Sequence, residues 1–297
     1  METLETLRRR INSTKSLHSV VRTMKVLSLT SIRQCEEAVD ALEDYYRTIR
    51  LGLQAALRRR PHELPGPRTA STARIGVLVF GSTWGMCGRF NEQLARHVAD
   101  ELDALDPHET AIMAFGEYVG DPLDLAGCAP DERTPGPESV DGITRRVQDV
   151  LIRVEDWRNT HRLDRILLFY NTLVSGTSYE ATTEQLLPLD RTWLERMEQA
   201  PWPTRMLPTH RTDWDDLFAA LVRQYLFVTL YRAFAESLAS EHSSRLAAMQ
   251  RAETNVEERL GALRDRFHRQ RQNAITEEVL DIASGFEALQ SDAGGRP

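Results

Sequence analysis

Apolar residues recur at helical spacing from Arg211 to Leu289, a stretch that contains no proline. Steps of three and four keep side chains on one stripe of a helix, and over many turns such a stripe predicts a partner helix. At 1.5 Å per residue the helix would be roughly 115 Å long. The stripe consists of two runs separated by a phase shift near Ser240–Ser244: Leu217, Leu221, Val228, Tyr231 and Leu238, then Leu246, Met249, Val256, Leu260, Leu263 and Phe267.

Two glycines test the continuity of this helix. Gly261 lies inside the pattern, and we interpret it as an exposed position that weakens the helix by roughly 1 kcal/mol relative to alanine. Gly285 follows a helical run, as a C-cap glycine would, yet Phe286 and Leu289 keep the period. The helix therefore either continues past Gly285 or frays there.

Residues 1–58 predict a second long helix with one unbroken heptad seam. Its members are Leu4, Leu7, Ile11, Thr14, His18, Val21, Lys25, Ser28, Ile32, Cys35, Val39, Leu42, Tyr46, Ile49 and Leu53. The ends of the seam are apolar and its middle is polar or small. Apolar side chains in that middle lie on a neighbouring face instead: Leu17, Val20, Met24 and Leu27. Either buried polar groups specify the register here, or this face contacts a further partner.

The middle of the chain predicts an α/β domain. Three prolines, at 61, 65 and 67, end the first helix. Predicted strands alternate with helices after that point, which indicates a sheet covered by helices. The strands are 73–80, 110–116 and 164–171, the helices are 90–102 and 140–157, and residues 120–137 and 188–208 are expected to be irregular.

The predicted fold is therefore α/β with a long antiparallel coiled coil formed by the N- and C-terminal helices. Its parts are an N-terminal helix (1–60), a central α/β, Rossmann-like domain (73–190) and a C-terminal helix (211–290). Because the second helix is the longer one, its tip is expected to extend beyond its partner.

Composition favours a protein partner over nucleic acid. Hydrophobic residues make up 41% and charged residues 27%, and the net charge is −7. The first 60 residues hold twelve basic and seven acidic side chains, but an acidic chain with scattered basic residues fits a protein surface better than nucleic acid. No run of eighteen apolar residues predicts a membrane span, and we expect no cleaved targeting segment. Three widely spaced cysteines indicate reduced thiols.

No motif indicates catalysis or metal binding. The segment GSTWGMCG (81–88) follows a strand and precedes a helix, as phosphate loops do, but lacks their lysine, so we interpret it as a structural turn. Cys87 has no identifiable base and is expected to be a packed thiol. No zinc-binding pair of the His-x-x-x-His or Cys-x-x-Cys kind occurs. We therefore expect no catalytic residue, no metal site and no cofactor.

Several phrases resemble the gamma subunit of F-type ATP synthases. SEHSSRLAAMQRAETN (240–255) and RQNAITEEVLDIASGFEAL (271–289) are similar to its C-terminal helix, and residues 7–33 to its N-terminal helix. WGMCGRFN (84–91) and TTEQLLPL (182–189) resemble its central domain. The fold that this family has, an antiparallel coiled coil carrying an α/β domain, is the one predicted from the periodicity.

The resemblance implies a central rotor shaft without an active site of its own. Its partners would be the alternating alpha and beta subunits of a hexamer, an epsilon subunit and a membrane ring of c subunits. The complex would be peripheral to the cytoplasmic face of a bacterial plasma membrane. By motif position the beta-contact residues would be Met24, Lys25, Arg245, Arg271, Gln272 and Thr276. An apolar shaft tip would comprise Val279, Leu280, Ile282, Phe286 and Leu289.

Some residues depart from the family pattern. Thr83 and Trp84 stand where Asp-Arg is usual, Lys25 stands where an acidic residue is common, and His18 and Ser28 are also unusual. These departures indicate a divergent branch, with the alternate sodium-type ATPases as one candidate. Whether the ring carries protons or sodium stays open, as does the direction in which the machine runs.

Two other classes of function compete with a rotor. One is a coiled-coil scaffold or adaptor with an α/β head, and the other is a free-standing α/β enzyme with a helical arm. The missing catalytic constellation disfavours the enzyme. A scaffold would tolerate a polar tip, whereas the apolar tip predicted here requires an apolar sleeve.

Overall fold

The computed structural model describes residues 3–59, 74–176, 178–209 and 211–293, with side chains described to residue 284 of the last stretch. The chain forms two compact units. One is Leu27–Ala248, and the other combines Met1–Val26 with Met249–Pro297. The two longest helices contribute residues to both units.

Six helices and five strands make up the described part of the chain. The helices are α1 (Leu4–Arg59), α2 (Phe90–Leu105), α3 (Gly120–Leu125), α4 (Val140–His161), α5 (Arg191–Gln199) and α6 (Trp214–Ala293). The strands are β1 (Arg74–Phe80), β2 (Glu109–Phe115), β3 (Glu132–Thr134), β4 (Arg165–Ser175) and β5 (Ser178–Leu187).

The larger unit is built on one five-stranded sheet with the order β3-β2-β1-β4-β5. The first four strands in this order pair in parallel, and β5 pairs antiparallel with β4. The central strand β1 is buried along nearly its whole length, which accounts for its continuous apolar run. The sheet predicted from strand–helix alternation is therefore confirmed.

Each face of the sheet has its own core. On one face Ile75, Val77 and Val79 pack against α2 through residues such as Leu94 and Val98. On the other face the packed residues come from β1, β2, β4, α4 and α6: Leu78, Phe80, Met113, Phe115, Leu168, Val147, Leu230 and Phe234 among them. The Phe80 and Phe234 rings stack with centroids 3.6 Å apart, which places α6 directly against the sheet.

Helix α1 packs antiparallel to α6 within the larger unit. The Tyr45 hydroxyl donates a hydrogen bond to the Gln224 side chain at 2.8 Å, and the Trp214 indole N–H donates to the Ala56 carbonyl at 2.9 Å. Cys35 packs against Leu238, further along α6. Partner numbers on α6 fall as those on α1 rise, so the predicted antiparallel pairing is confirmed.

The heptad seam predicted for α1 is also confirmed. Every one of its members is buried or half-buried. The predicted facing residues Ile32, Val39 and Leu42 are half-buried, and Val39 packs against the core that contains α6 residues. Off the seam, Leu17 and Leu27 are more than half exposed. Because the spacing of three and four residues is kept throughout, the polar positions of the seam lie on the same side of α1 as the apolar ones.

Helix α6 differs from its predicted single stripe between Tyr225 and Ala248, where every residue is buried or half-buried. The sheet and α1 both pack against this segment, which leaves it little exposed surface. The helix also contains an 18-residue window of mean hydropathy 1.2, high enough to meet a length-and-composition criterion for a membrane span. About 33% of this window is buried, and Leu230, Ala233 and Phe234 of α6 belong to the core.

The phase shift near Ser240–Ser244 coincides with a polar contact between α6, the carboxyl end of β1 and the middle of β4. Ser237 donates to the Phe80 carbonyl at 2.9 Å, and Ser240 donates to the Asn171 carbonyl at 3.0 Å. Ser244 donates to the Cys87 carbonyl. Small hydroxyl residues let the helix approach closely and satisfy carbonyl groups that would otherwise be buried without a partner.

A buried ion pair completes this contact. The Glu241 carboxylate accepts from the backbone N–H groups of Thr83 at 3.1 Å and Trp84 at 3.3 Å. Arg245 bonds the same carboxylate and donates to the carbonyls of Gly85 at 3.1 Å and Trp84 at 3.0 Å. Both side chains are nearly inaccessible, at 2% and 7% exposure. We call this arrangement the turn clamp, because it holds residues 81–88 to α6.

Three parts of the larger unit were not predicted. Residues 120–137 contain α3 and the edge strand β3, the stretch before the final helix contains α5, and β5 follows β4 as a hairpin. Strand β5 is mostly half-exposed and rich in threonine and glutamate, so it lacks a continuous apolar run. The short β3 and α3 are too brief to set up a period.

Glycines 261 and 285 do not interrupt α6, which runs to Ala293. A Cβ at position 261 would meet no atom within 4 Å, so the interpretation of Gly261 as an exposed position is confirmed.

Removing one member of the turn clamp is expected to destabilise the larger unit. Arg245→Ala leaves the Glu241 carboxylate buried without its counter-charge, which costs about 3–5 kcal/mol. The double variant Glu241→Gln, Arg245→Met removes both charges, keeps an acceptor for the turn N–H groups, and is expected to recover part of that loss. Urea unfolding of the purified chain measures both. The surface pair of Arg223 and Glu155 supplies the control Arg223→Ala, with an expected cost of about 1 kcal/mol or less. Equal losses for Arg245→Ala and Arg223→Ala would contradict the prediction.

Candidate partner-contact surfaces

The glycine-rich turn at 81–88 already holds an anion supplied by the chain itself. Backbone N–H groups between a strand and a helix are the groups that a phosphate loop directs at its ligand. Here Glu241 occupies the N–H groups of Thr83 and Trp84. Burial raises the pKa of Glu241, while Arg245 and the two backbone donors lower it and so stabilise the charged carboxylate. The turn is thus a structural connection, as the sequence indicated.

The cysteines have the environment of packed thiols. Cys87 is 4% exposed and lies 3.5 Å from the Ser82 hydroxyl, and burial raises the pKa of its thiol. Burial likewise raises the pKa of Cys35 to about 12. A thiol that resists ionisation is a poor nucleophile, so neither residue has the character of a catalytic cysteine.

Arg245 lies inside the larger unit, with 7% of its side chain exposed. Its guanidinium is used by Glu241, by the two turn carbonyls and by His242, whose Nδ1 is 3.0 Å away. Burial and the neighbouring Arg245 charge lower the pKa of His242 to about 4, so the neutral ring can accept this hydrogen bond. These four hydrogen bonds and the low exposure of the side chain show that Arg245 serves contacts within the chain, and a direct contact with a beta subunit stays a prediction.

Met24 and Lys25 lie on α1 in the smaller unit, and both are half-buried. The Lys25 ammonium bonds the Glu253 carboxylate of α6. On the same stretch of α1, Leu17 and Val20 are 52% and 51% exposed. This stretch therefore has polar seam residues that pair across the helices and, beside them, exposed apolar residues. Register specification by polar groups and contact with a further partner do not exclude each other here.

Arg271, Gln272 and Thr276 are exposed on α6. The Thr276 hydroxyl donates its hydrogen to the Gln272 backbone carbonyl at 2.9 Å. Its oxygen can still accept a hydrogen bond from a partner. Each residue turns a helix by 100°, which puts Arg271 on one flank of this surface and Thr276 on the other. We call these three residues the polar collar.

Beyond the collar, α6 carries exposed apolar side chains. Val279, Leu280 and Ile282 are 59%, 62% and 68% exposed, and Ile275 is 49% exposed. Steps of four and three place Ile275, Val279 and Ile282 on one stripe. The predicted tip residues Phe286 and Leu289 lie on the helix, but their side chains fall outside the described residues.

Within the smaller unit, the two predicted contact groups, Met24 with Lys25 and the polar collar, lie at different heights along α6. Leu7 and Ile11, near the start of α1, pack against Leu263 and Phe267. Lys25 pairs at Glu253, so the collar begins eighteen residues further along α6, at a distance of about 27 Å. Met24 and Lys25 therefore form one surface, and the collar with the apolar tip forms another.

One cluster was missed in the sequence. The His18 imidazole Nε2 lies 3.2 Å from a Glu257 oxygen and 3.9 Å from a Glu253 oxygen, across the two helices. The signal was present, because His18 is a seam position and Glu253 and Glu257 are four residues apart on the opposite helix. A search for ligand pairs close in sequence could not find residues more than two hundred positions apart.

Comparison with known proteins agrees with this layout. A family model described as ATP synthase matches residues 3–289. The ATP synthase gamma chain of Nautilia profundicola is 25% identical over 301 aligned residues, which cover 98% of this chain and all of the relative. The ATP synthase gamma chain of Anaeromyxobacter dehalogenans is 29% identical, with 97% of this chain and all of the relative covered.

Solved structures share the fold at lower identity. A chain of the rotor of Euglena gracilis mitochondrial ATP synthase has a TM-score of 0.61 at 14% identity, covering 92% of this chain and 98% of that one. A chain of the central stalk and c-ring of Tetrahymena thermophila mitochondrial ATP synthase has a TM-score of 0.56 at 18% identity, covering 78% and 99%. Because the family model spans nearly the whole sequence and full-length gamma chains align from end to end, the chain belongs to the ATP synthase gamma-chain family.

Proposed function

We propose that this gamma chain is the non-catalytic rotor shaft of a bacterial rotary ATP synthase. It couples ion flow through a membrane ring of c subunits to conformational changes at catalytic sites on beta subunits. Its partners are the alternating alpha and beta subunits of a hexamer, an epsilon subunit and the c-ring. The complex is membrane-associated, and this subunit lies at the cytoplasmic face of the plasma membrane without entering it.

The observation that carries the proposal is the apolar, exposed end of α6. Val279, Leu280 and Ile282 are each more than half exposed on a helix that extends past the start of α1. Burying an aliphatic side chain of this size contributes about 1.5–3 kcal/mol. An enclosing apolar sleeve of alpha and beta subunits would supply that stabilisation, whereas a solvated arm of a scaffold would gain nothing from such residues.

The polar collar supplies contacts that depend on rotor orientation. Arg271 offers a planar fork of donors suited to a carboxylate, and Gln272 adds neutral hydrogen bonds. A charge-assisted bond contributes roughly 1.5–3 kcal/mol and a neutral one about 1 kcal/mol. A bond formed with one beta subunit and lost before the next would change the rotary barrier by a comparable amount.

Met24 and Lys25 form the second contact with beta in this proposal. The exposed apolar residues Leu17 and Val20 extend the surface along α1. Because Lys25 is already paired with Glu253, its charge is partly compensated, and we assign the contact mainly to apolar packing. Arg245 contributes indirectly, by holding the turn at 81–88 through the clamp.

Asymmetry is what allows such contacts to drive rotation. A single chain presents different faces to three equivalent partners, so each beta subunit experiences a different contact free energy. Only those differences shift the conformational populations of the beta subunits, and equal contacts in every orientation would shift nothing.

The tip prediction uses Ile282→Asp, which places a charge on the apolar stripe. We expect retention of the gamma chain in the purified complex to weaken at least about tenfold, because about 1.4 kcal/mol of lost burial corresponds to that factor. Ser284→Asp adds the same charge about 200° away on the helix and serves as the control. Retention is measured by quantitative gel analysis after dilution. Equal effects of the two variants would show that charge alone, rather than lost apolar contact, caused the dissociation.

The collar prediction uses Arg271→Ala in the assembled complex. ATPase turnover is expected to fall while the chain stays bound, since the apolar tip is intact. Arg269→Ala is the matched control, because its side chain is exposed and points about 200° away from Arg271. Turnover and subunit retention are measured on the same preparation. Unchanged turnover in Arg271→Ala would leave Arg271 as a solvated side chain.

The purified chain is expected to neither bind nor hydrolyse ATP. The turn at 81–88 lacks a lysine, and its Thr83 and Trp84 N–H groups are used by Glu241. Isothermal titration of the full chain with Mg-ATP tests binding, and a phosphate-release assay tests hydrolysis, with the complete complex as the positive control. A saturable heat with the isolated chain would contradict the prediction that it does not bind ATP, and phosphate release by the isolated chain would contradict the assignment of catalysis to beta.

A further inference from the structure

The cross-helix cluster of His18, Glu253 and Glu257 brings one imidazole nitrogen and two carboxylates together between α1 and α6. Its three candidate ligand atoms all lie within 4.8 Å of one another. The His18 Nε2 is 3.2 Å from Glu257 and 3.9 Å from Glu253. A neutral imidazole has at most one hydrogen on Nε2, so it can donate to only one of the two carboxylates. The convergence of two carboxylates on one ring nitrogen instead suits a cation placed between them.

The second oxygen of Glu253 is held by another residue. Lys25 bonds Oε2 of Glu253, while Oε1 faces His18. This division orients the carboxylate toward the cluster without a contribution from the metal. Glu253 is also largely shielded, with 18% of its side chain exposed, and His18 with 28%. Two of the three ligands are therefore positioned by the packing of the two helices.

The separations match those of a small tetrahedral site. Zinc binds histidine nitrogen and carboxylate oxygen at about 2.0–2.2 Å, so neighbouring ligand atoms around it are about 3.3–3.6 Å apart. The Nε2–Glu257 distance lies just below this range and the Nε2–Glu253 distance just above it, so small movements of both carboxylates would bring the three atoms around one ion. Imidazole together with carboxylate favours zinc or cobalt over magnesium, which prefers an all-oxygen octahedral set.

We propose that His18, Glu253 and Glu257 bind one divalent transition-metal cation of the zinc class, with water at the fourth position. The site joins α1 to α6 inside the smaller unit. Metal bonds to both helices resist their sliding past each other, so an occupied site stiffens this part of the coiled coil. Neither the proposed coupling function nor the contacts with beta depend on it.

Zinc titration of the full-length purified chain, stripped of metal by a chelator, tests the proposal. Calorimetry is expected to give one Zn²⁺ bound per chain at this site, with a rise in the thermal midpoint on binding. Co²⁺ is used as a spectroscopic probe and should give the visible absorption of a tetrahedral site. His18→Asn keeps a polar residue in the seam and is expected to weaken binding at least about tenfold, since even losing a supporting partner of a ligand costs that much.

Matched variants separate the cluster from other metal-binding groups in the chain. Glu257→Gln changes a residue that is 62% exposed, so it keeps the test valid if His18→Asn fails to fold, and it should weaken Zn²⁺ binding as well. His268→Asn removes an exposed histidine of α6 outside the cluster and should leave the affinity unchanged. Zinc binding that is absent in the native chain, or equal in His18→Asn and His268→Asn, would overturn the proposal. Competition by Mg²⁺ at equal concentration would also overturn it, because it would indicate a general attraction of cations to carboxylates.

Discussion

The contact between one short polar stretch of α6 and the ends of the sheet determines where everything else in the larger unit lies. Three serines and the turn clamp join α6 to carbonyl and N–H groups at the end of β1, in β4 and in the turn after β1. Without them, several buried backbone groups would lack partners at a cost of about 1–3 kcal/mol each. The same stretch has α1 on its other side. Fixing α6 against the sheet therefore also fixes the surface on which α1 packs.

This constraint explains the phase shift in the apolar pattern. A uniform heptad stripe would give α6 one apolar side, but this segment contacts the sheet and α1 at once. Leu230 and Phe234 face the sheet, while Leu238 meets Cys35 of α1. Ser237, Ser240 and Ser244 in this segment are small enough for close approach and polar enough to bond backbone carbonyls. The phase shift lies near the end of the segment that contacts both the sheet and α1.

What could be predicted follows from how strongly each element repeats a simple pattern. The seam of α1 was predicted position by position, since a heptad of fifty residues leaves no doubt about register, and β1 was predicted from its continuous apolar run. Strand β5 escaped prediction because its exposed face is polar and its register depends on pairing with β4, which is not a local property. Helix α5 escaped for a different reason: only Leu194 and Met197 of it are buried, too few to establish a period.

The exposure of the candidate site residues likewise depends on local sequence for some and on long-range contacts for others. The exposure of the collar and tip follows from the difference in helix length, which the sequence contains. The burial of Arg245 does not, because the turn at 81–88 meets Arg245 and its helix neighbour Glu241 only in the folded unit.

The departures from the family pattern belong to this second group. Lys25 and His18, two of these departures, each face an acidic residue of α6. Their contacts with Glu253 and Glu257 join the two helices. The apolar residues Leu17 and Val20 beside them are exposed, as are the collar and the described apolar residues of the tip. Divergence in the seam is compatible with an unchanged function because the seam faces inward.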